Sequence, residues 1–391
     1  MLRFFLLSFV VSLGIGYITL RWQHLHVRFT SDVALRGTHK VHGAAAVSRI
    51  GGLSIFIGWI CGIAAASFFG QIPGQIALIW IVCVLPAFIG GLAEDVTKRI
   101  PPSARLAAAI ASAALAYGLL GAAVTRIDIP GIDSMLAFPV VAFAFTCFAI
   151  GGVAHAINII DGLNGLTSGV CLIALFALGY VAFQVDDSEI LLMCGLCAGA
   201  LLGFRVWNYP SGRIFCGDGG AYFIGAYVAM LSAMLVYRHD EISAWFPLLL
   251  VLYPVWETLF SAYRRRVLRG RPASAADKLH MHTLFYKRVK KADAGGRART
   301  QRNSDASVPM MLFACGSTIP AVLWWSEGTY LLTAAVAYVF IYLAIYRRLV
   351  RFGARHRYLR KSGLAYVAER VVALHRAAVS RRTVRQTNKV R

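Results

Sequence analysis

The chain has 391 residues, of which 58% are hydrophobic and only 15% charged, and its mean hydropathy is +0.63. This composition excludes an ordinary soluble domain. The formal net charge of +22 is explained by membrane topology, as shown below, and gives no support for nucleic-acid binding.

Eleven apolar segments follow one another along the chain, each close to the length of about 20 residues that crosses a bilayer as a helix. They predict an all-α polytopic membrane protein with about eleven transmembrane helices. Because further spans follow it, the first segment is interpreted as a retained helix. In chain order, the segments are residues 2–20, 51–70, 75–93, 104–124, 135–155, 166–184, 189–204, 218–237, 243–262, 308–325 and 328–346.

The basic residues predict the orientation of these helices. If the N-terminus lies outside, 37 of the 40 lysine and arginine residues fall in cytoplasmic loops or in the C-terminal tail. Only Arg3, Arg126 and Arg238 then lie outside. Since cytoplasmic segments carry an excess of positive charge, we expect an outside N-terminus and a cytoplasmic C-terminus.

Two regions are expected from this topology. Residues 1–346 form an integral membrane domain, and residues 347–391 form a basic cytoplasmic tail. Within the tail, apolar residues from Leu364 to Ala378 recur at helical spacing. This pattern fits a basic amphipathic helix on anionic lipid, and equally a solvated helix that enforces orientation. The loops expected to form an active site are 94–105, 156–165, 205–217 and 263–307.

Five short motifs of acidic, amide, imidazole and glycine residues fall in the cytoplasmic loops. Charge kept at a membrane boundary costs free energy, so such residues indicate function. Carboxylate oxygens are ligands for Mg²⁺, and glycine lets a phosphate approach the backbone. The motifs therefore predict a membrane enzyme that handles a phosphate-bearing substrate. They span residues 48–52, 91–98, 158–164, 217–220 and 277–282.

The order and wording of these motifs resemble the polyprenyl-phosphate N-acetylhexosamine-1-phosphate transferases, glycosyltransferase family 4. The resemblance covers residues 49–286, and its most specific strings are Asn158-Ile-Ile-Asp-Gly-Leu-Asn-Gly-Leu and Phe215-Cys-Gly-Asp-Gly-Gly. The superfamily includes the phospho-N-acetylmuramoyl-pentapeptide transferases. The stretch from Phe204 to Tyr222 is similar to the branch that initiates O-antigen synthesis.

The resemblance implies transfer of an N-acetylhexosamine 1-phosphate from a UDP-sugar to undecaprenyl phosphate, with release of UMP. The expected cofactor is Mg²⁺, with Mn²⁺ as a substitute. The expected location is the bacterial inner membrane, among membrane lipids, with the site on the cytoplasmic face. A 6-deoxyhexosamine donor is favoured over N-acetylglucosamine, and formation of a homodimer is left open.

The resemblance also implies roles for individual residues. Asp218 is expected to be the leading metal ligand, and Asp95 either the base or a second metal contact. Asp161 is expected to bind metal or water or to position the attacking phosphate, and Glu94 belongs to the same catalytic group. The expected substrate-binding residues are Arg49, Lys98, Asn158, Asn164, Asn208, His280 and His282.

Four residues depart from the family pattern. Glu94 and Asn164 each stand where an aspartate is common, Thr283 where a third histidine is usual, and Ser48 where proline is common. The first three fit a divergent branch with its own donor sugar, and equally a paralogue with reduced activity.

Two other classes of protein also fit a chain with many spans. A transporter or lipid flippase would carry charged sites near the midplane and often an inverted repeat. Here the acids lie at the cytoplasmic ends of the segments, and no repeat is visible. A non-catalytic scaffold would tolerate loss of Asp95 and Asp218.

Overall fold

The computed structural model describes residues 1–31, 47–268, 270, 277, 279–292 and 299–361. The protein is all-α and polytopic, as predicted, and ten of its described helices are long and apolar enough to cross a membrane. The amphipathic helix predicted within the tail lies outside the described residues. The ten helices are α1 (Leu2–Arg21), α3 (Gly51–Phe68), α4 (Gly74–Thr97), α5 (Pro102–Leu120), α7 (Pro139–Ile160), α8 (Leu166–Gln184), α9 (Ser188–Asn208), α10 (Gly217–Arg238), α14 (Arg299–Leu323) and α15 (Gly328–Lys361).

Five described helices are shorter. They are α2 (Gln23–Thr30), α6 (Ile132–Leu136), α11 (Trp245–Leu250), α12 (Leu252–Arg266) and α13 (Met281–Ala292). The chain divides into two compact units, Met1–Val339 and Phe340–Arg391. All that follows concerns the first unit.

The apolar segment predicted at residues 243–262 is not one continuous helix. It forms α11 and α12, which are separated at Val251, where φ is −112° and ψ is 15°. Pro254 has no N–H to donate to the carbonyl of Leu250, so the helical ladder is interrupted there. The described part of the chain therefore has ten continuous candidate spans where the sequence predicted about eleven.

Helix α10 occupies the centre of the bundle. Almost all of its residues are buried, and α3, α4, α5, α7 and α8 pack against it. Glycines allow very close contacts at its N-terminal end. A Cβ added at Gly52 would lie 2.2 Å from the Gly220 nitrogen, and one added at Gly91 would lie 2.4 Å from the Asp218 carbonyl oxygen. The start of α10 therefore lies directly against α3 and α4.

The segment before α3 runs beside the segment before α10. Ser48 pairs with Ile214, and the N–H of Phe215 donates to the Ser48 carbonyl at 2.9 Å. The N–H of Gly51 donates in turn to the Phe215 carbonyl, also at 2.9 Å. This pairing places Arg49 next to the first residues of α10.

Candidate active site

The N-terminus of α10 is capped by a carboxylate from another helix. Asp95, near the end of α4, accepts hydrogen bonds from the backbone N–H groups of Asp218 at 2.9 Å and Gly219 at 2.8 Å. Its side chain is only 1% exposed, and Arg49 Nε lies 3.4 Å from Oδ1. The first N–H groups of a helix have no partner within the helix and carry partial positive charge. A buried carboxylate is therefore well placed to stabilise this helix end.

The carboxylate of Asp218 meets side chains instead of backbone groups. Oδ1 accepts hydrogen bonds from Arg49 Nη2 and from Asn158 Nδ2, each at 3.0 Å. Oδ2 forms an ion pair with Arg105 Nη1 and is buried without a hydrogen-bond partner. Residues from four parts of the chain thus meet at one carboxylate, and two of them are cations. Arginine side chains are suited to binding an anionic group such as a phosphate.

The histidine motif lies against the loop between α7 and α8. A Cβ added at Gly162 would lie 2.6 Å from His282 Nε2. The His282 imidazole therefore lies against the residue that follows Asp161. The carboxylate of Asp161 accepts a hydrogen bond from Thr167 Oγ1 at 3.0 Å. The rings of His280 and His282 are stacked, with centroids 5.5 Å apart. The structure therefore brings together two motifs separated by more than a hundred residues.

Two acidic residues hold the histidine motif in place. Glu257 on α12 is fully buried, and its Oε1 lies 2.9 Å from His280 Nδ1. Asp277 pairs with Arg264 and accepts the N–H of Leu279 at 3.0 Å. Burial alone would raise the pKa of Asp277, but the hydrogen bond and charge of Arg264 lower it below its usual value. This carboxylate is therefore ionised at neutral pH and anchors the segment before the histidines.

Glu94, Lys98 and Asn208, three other predicted residues, make contacts that connect loops to the rest of the bundle. Glu94 accepts the N–H of Ile100 at 2.8 Å, and Lys98, with φ of 56° at the end of α4, donates to the carbonyl of Ser31. The amide of Asn208 accepts the N–H of Gly165 at 2.7 Å and donates to a second loop at 2.8 Å.

Asn164 contacts α14. Its N–H donates to Asn303 Oδ1 at 2.6 Å, and its Nδ2 lies 3.3 Å from Ser304 Oγ. Nδ2 also donates to the Pro210 carbonyl at 3.4 Å, so Asn164 links α14 to the segment that follows α9.

Sequence reasoning missed Arg105, His155 and Tyr222 at this site. The hydroxyl of Tyr222 lies 2.9 Å from His155 Nδ1, and the Arg105 guanidinium lies 6.0 Å from the centroid of the Tyr222 ring. Helical spacing in the sequence indicates Tyr222 as a site residue, because it is four residues after Asp218. His155 is likewise three residues before Asn158, so each pair shares a helix face.

The site offers few ligands for a metal ion. The described residues contain no group of three histidine, cysteine, aspartate or glutamate side chains that could hold one. Mg²⁺ is commonly bound by one or two carboxylates, with water and substrate phosphates completing the shell. Asp218 supplies one such carboxylate, whose Oδ2 is now paired with Arg105 and whose Oδ1 accepts hydrogen bonds from Arg49 and Asn158.

The sequence is similar to a known family and to named proteins. Residues 77–236 match the model of glycosyl transferase family 4. The chain is 28% identical over 244 residues to a probable undecaprenyl-phosphate N-acetylglucosaminyl 1-phosphate transferase of Bacillus subtilis, covering 62% of this chain and 66% of that protein.

Two further relatives have related names. A phospho-N-acetylmuramoyl-pentapeptide-transferase of Streptococcus uberis is 26% identical over 315 residues, which cover 75% of this chain and 87% of the relative. An undecaprenyl-phosphate alpha-N-acetylglucosaminyl 1-phosphate transferase of Thermotoga maritima is 27% identical over 254 residues, which cover 65% and 72%. The family match spans α4 to α10 and so includes Asp95, Arg105, Asn158 and Asp218. Over this part of the chain, the protein is similar to glycosyl transferase family 4.

Proposed function

We propose that the protein transfers an N-acetylhexosamine 1-phosphate from a UDP-sugar to undecaprenyl phosphate, releasing UMP. The observation that carries the proposal is the carboxylate of Asp218, held between Arg49, Arg105 and Asn158 at the start of a central helix. The names of the three relatives describe this class of reaction.

The reaction joins two phosphate-bearing substrates that repel each other. An oxygen of the lipid phosphate attacks the phosphorus that bears the sugar, and the bond from that phosphorus to the bridging oxygen breaks. UMP leaves with the electron pair. Arg49 and Arg105 are placed to neutralise the charge that builds on the phosphates, which is the main demand of phosphoryl transfer. Asp95 serves in this scheme as a positioning residue that fixes the N-terminus of α10.

We propose Mg²⁺ as the cofactor, with Asp218 as its carboxylate ligand. Bound there, the ion would neutralise charge on the diphosphate. We propose that Mn²⁺ can replace Mg²⁺ as the cofactor.

The proposal extends to location and donor. The site lies at one end of the bundle, near the C-terminal ends of α4 and α7 and the N-terminal ends of α5 and α10. The excess of positive charge in the loops at that end supports a cytoplasmic site at the bacterial inner membrane. There a lipid dissolved in the bilayer can meet a nucleotide from the cytosol. We favour a UDP-linked N-acetylated 6-deoxyhexosamine, followed by UDP-N-acetylglucosamine, and initiation of O-antigen as the role.

The proposal is tested with the purified full chain in detergent micelles. UMP release from a panel of UDP-N-acetylhexosamines is measured with and without polyprenyl phosphate and Mg²⁺, and the lipid product is identified by mass spectrometry. We expect release only when donor, lipid phosphate and metal are all present. Labelled UMP should also exchange back into the UDP-sugar, because one phosphoanhydride replaces another.

A carrier gives the opposite result. Micelles have no second compartment, so a transporter or flippase would release no UMP from any donor. The same protein in sealed vesicles would then move a lipid or solute across the bilayer. That pair of results would replace the enzyme by the carrier.

A further inference from the structure

A histidine outside the predicted motifs is linked to the site from two helices. His155 precedes Asn158 by one turn of α7, and its Nδ1 lies 2.9 Å from the Tyr222 hydroxyl. Tyr222 follows Asp218 by one turn of α10. Arg105, which pairs with Asp218, has its guanidinium over the Tyr222 ring, 6.0 Å from the centroid. The imidazole is therefore held beside the group of charges that surrounds Asp218.

The hydrogen bond to Tyr222 leaves the second ring nitrogen available. When the Tyr222 hydroxyl donates to Nδ1, the neutral imidazole carries its proton on Nε2. Nε2 has no hydrogen-bond partner among the described residues, and the side chain is half-buried. His155 thus presents one N–H group to whatever occupies the space beyond it.

Two arginines act on the His155 imidazole electrostatically, Arg105 from α5 and Arg265 from α12, while Tyr222 faces it from α10. Arg105 is also paired with the carboxylate of Asp218. The imidazole N–H therefore lies beside arginine side chains that suit a phosphate group.

The face of α7 that carries His155 is exposed one and two turns before the histidine. Phe148, Gly152 and His155 follow each other at helical spacing on one face. Phe148 is 69% exposed, and a Cβ added at Gly152 would meet no atom within 4 Å. This face belongs to a helix long and apolar enough to span a membrane. A polar side chain on such a face costs free energy and indicates a function.

We propose that His155, through Nε2–H, binds the phosphate group of the polyprenyl phosphate acceptor, an assignment that rests on the proposed function. Phosphate could also come from the UDP-sugar, but the position of His155 favours the lipid. At a rise of about 1.5 Å per residue, His155 lies roughly 4.5 Å deeper along α7 than Asn158 and roughly 9 Å deeper than Asp161. A lipid arriving sideways from the bilayer reaches this depth first, whereas a nucleotide arrives from the water side.

The test separates the two substrates by their KM values. UMP release is measured for wild type, His155→Ala, His155→Gln and Tyr222→Phe, with each substrate varied in turn. We expect His155→Ala to raise the KM for polyprenyl phosphate at least tenfold and to leave the KM for the UDP-sugar within twofold. His155→Gln should recover part of the loss, since its amide can donate a hydrogen bond. Tyr222→Phe should shift the same KM by a smaller factor.

Tyr227→Phe is the matched control. Tyr227 is a buried tyrosine on the same helix, and its hydroxyl is hydrogen-bonded to Trp59 Nε1 at 3.1 Å and to the Met193 carbonyl at 3.0 Å. Its loss should leave both KM values unchanged. A rise confined to the UDP-sugar KM would assign the phosphate to the donor and overturn the proposal. A fall in kcat with both KM values unchanged would also overturn it.

Binding alone distinguishes a failure of this assignment from a failure of the proposed function. The thermal unfolding temperature is measured with polyprenyl phosphate and with polyprenol, which lacks the phosphate. Wild type should be stabilised more by the phosphate, and His155→Ala should lose that difference, even if no donor yields UMP. Equal stabilisation of wild type by both lipids would refute the assignment whatever the activity.

Discussion

Arg49 lies beside both Asp95 and Asp218, but the two carboxylates accept hydrogen bonds from different groups. Asp95 accepts hydrogen bonds from two backbone N–H groups of α10. Asp218 accepts hydrogen bonds from the side chains of Arg49 and Asn158. A carboxylate that bonds the backbone sets the position of a helix. A carboxylate that is held by side chains can exchange them for a substrate or a metal ion. The two aspartates should therefore respond differently to substitution.

Asp218→Asn should abolish metal-dependent turnover. The change removes one hard ligand and one negative charge, so we expect UMP release to fall on the order of a hundredfold or more. The measurement is the steady-state rate across a titration of Mg²⁺. A rate within about threefold of wild type, with an unchanged metal dependence, would contradict the role of Asp218 as a metal ligand. A threefold change in rate corresponds to under roughly 1 kcal/mol of transition-state stabilisation.

Asp95→Asn should destabilise the fold as well as lower activity. The amide has one acceptor oxygen where the carboxylate has two, so an N–H of Asp218 or Gly219 loses its buried partner. An unsatisfied buried donor costs about 1–3 kcal/mol. We expect the thermal unfolding temperature in detergent to fall clearly, and further than in Asp218→Asn. If Asp95→Asn unfolds at the wild-type temperature yet is inactive, Asp95 is the base and not a positioning residue.

The sequence predicted Asp95 and Asp218 as site residues, but it did not show which groups each carboxylate contacts. Asp95 and Asp218 both stand in boundary loops, and nothing in the local pattern says which one faces the backbone of α10. Arg105 was counted only as a contribution to cytoplasmic charge, because its partner lies 113 positions further along the chain. His155 lies inside an apolar segment, where the sequence alone shows no partner.

Helices were predicted well because runs of apolar residues are bounded by polar loops. The exception is the segment at 243–262, whose apolar run continues through Val251 although the helix does not. Proline inside an apolar run is compatible with a kinked helix or with two helices, and packing against neighbouring elements decides between them. Hydropathy alone cannot make that choice.

The contact between α4 and α10 gives a prediction at the level of whole helices. Gly91→Ala would place a Cβ 2.4 Å from the backbone oxygen of Asp218, so one helix must move. We expect at least a tenfold loss of UMP release and a lower unfolding temperature. Gly118→Ala on α5 is the control, because a Cβ there meets no atom within 4 Å. Equal activity of the two variants would show that the close contact is not needed.

The topology of the whole molecule is tested by chemical labelling. In a variant depleted of its native cysteines, single cysteines are placed at the exposed positions Arg99, Ser211 and Asp240. In intact cells, an impermeant thiol reagent should label only the cysteine at position 240. Permeabilised cells, in which all three should react, control for reactivity. Labelling at 99 or 211 from outside would reverse the orientation and remove the cytoplasmic site with it.

The residues of the site lie far apart in the sequence, so they enter the membrane at different times during synthesis. Arg49 and Arg105 enter the membrane region with α3 and α5, but their shared partner Asp218 arrives only with α10. Until α10 is made, the nascent chain therefore carries Arg105 without Asp218, and Arg49 with only one of its two carboxylate neighbours, Asp95. A ribosome-bound chain that ends before residue 217 has no Asp218 to neutralise them and no α10 N-terminus for Asp95 to cap. Because α10 follows seven of the ten candidate spans, the group of charges around Asp218 is completed late in insertion.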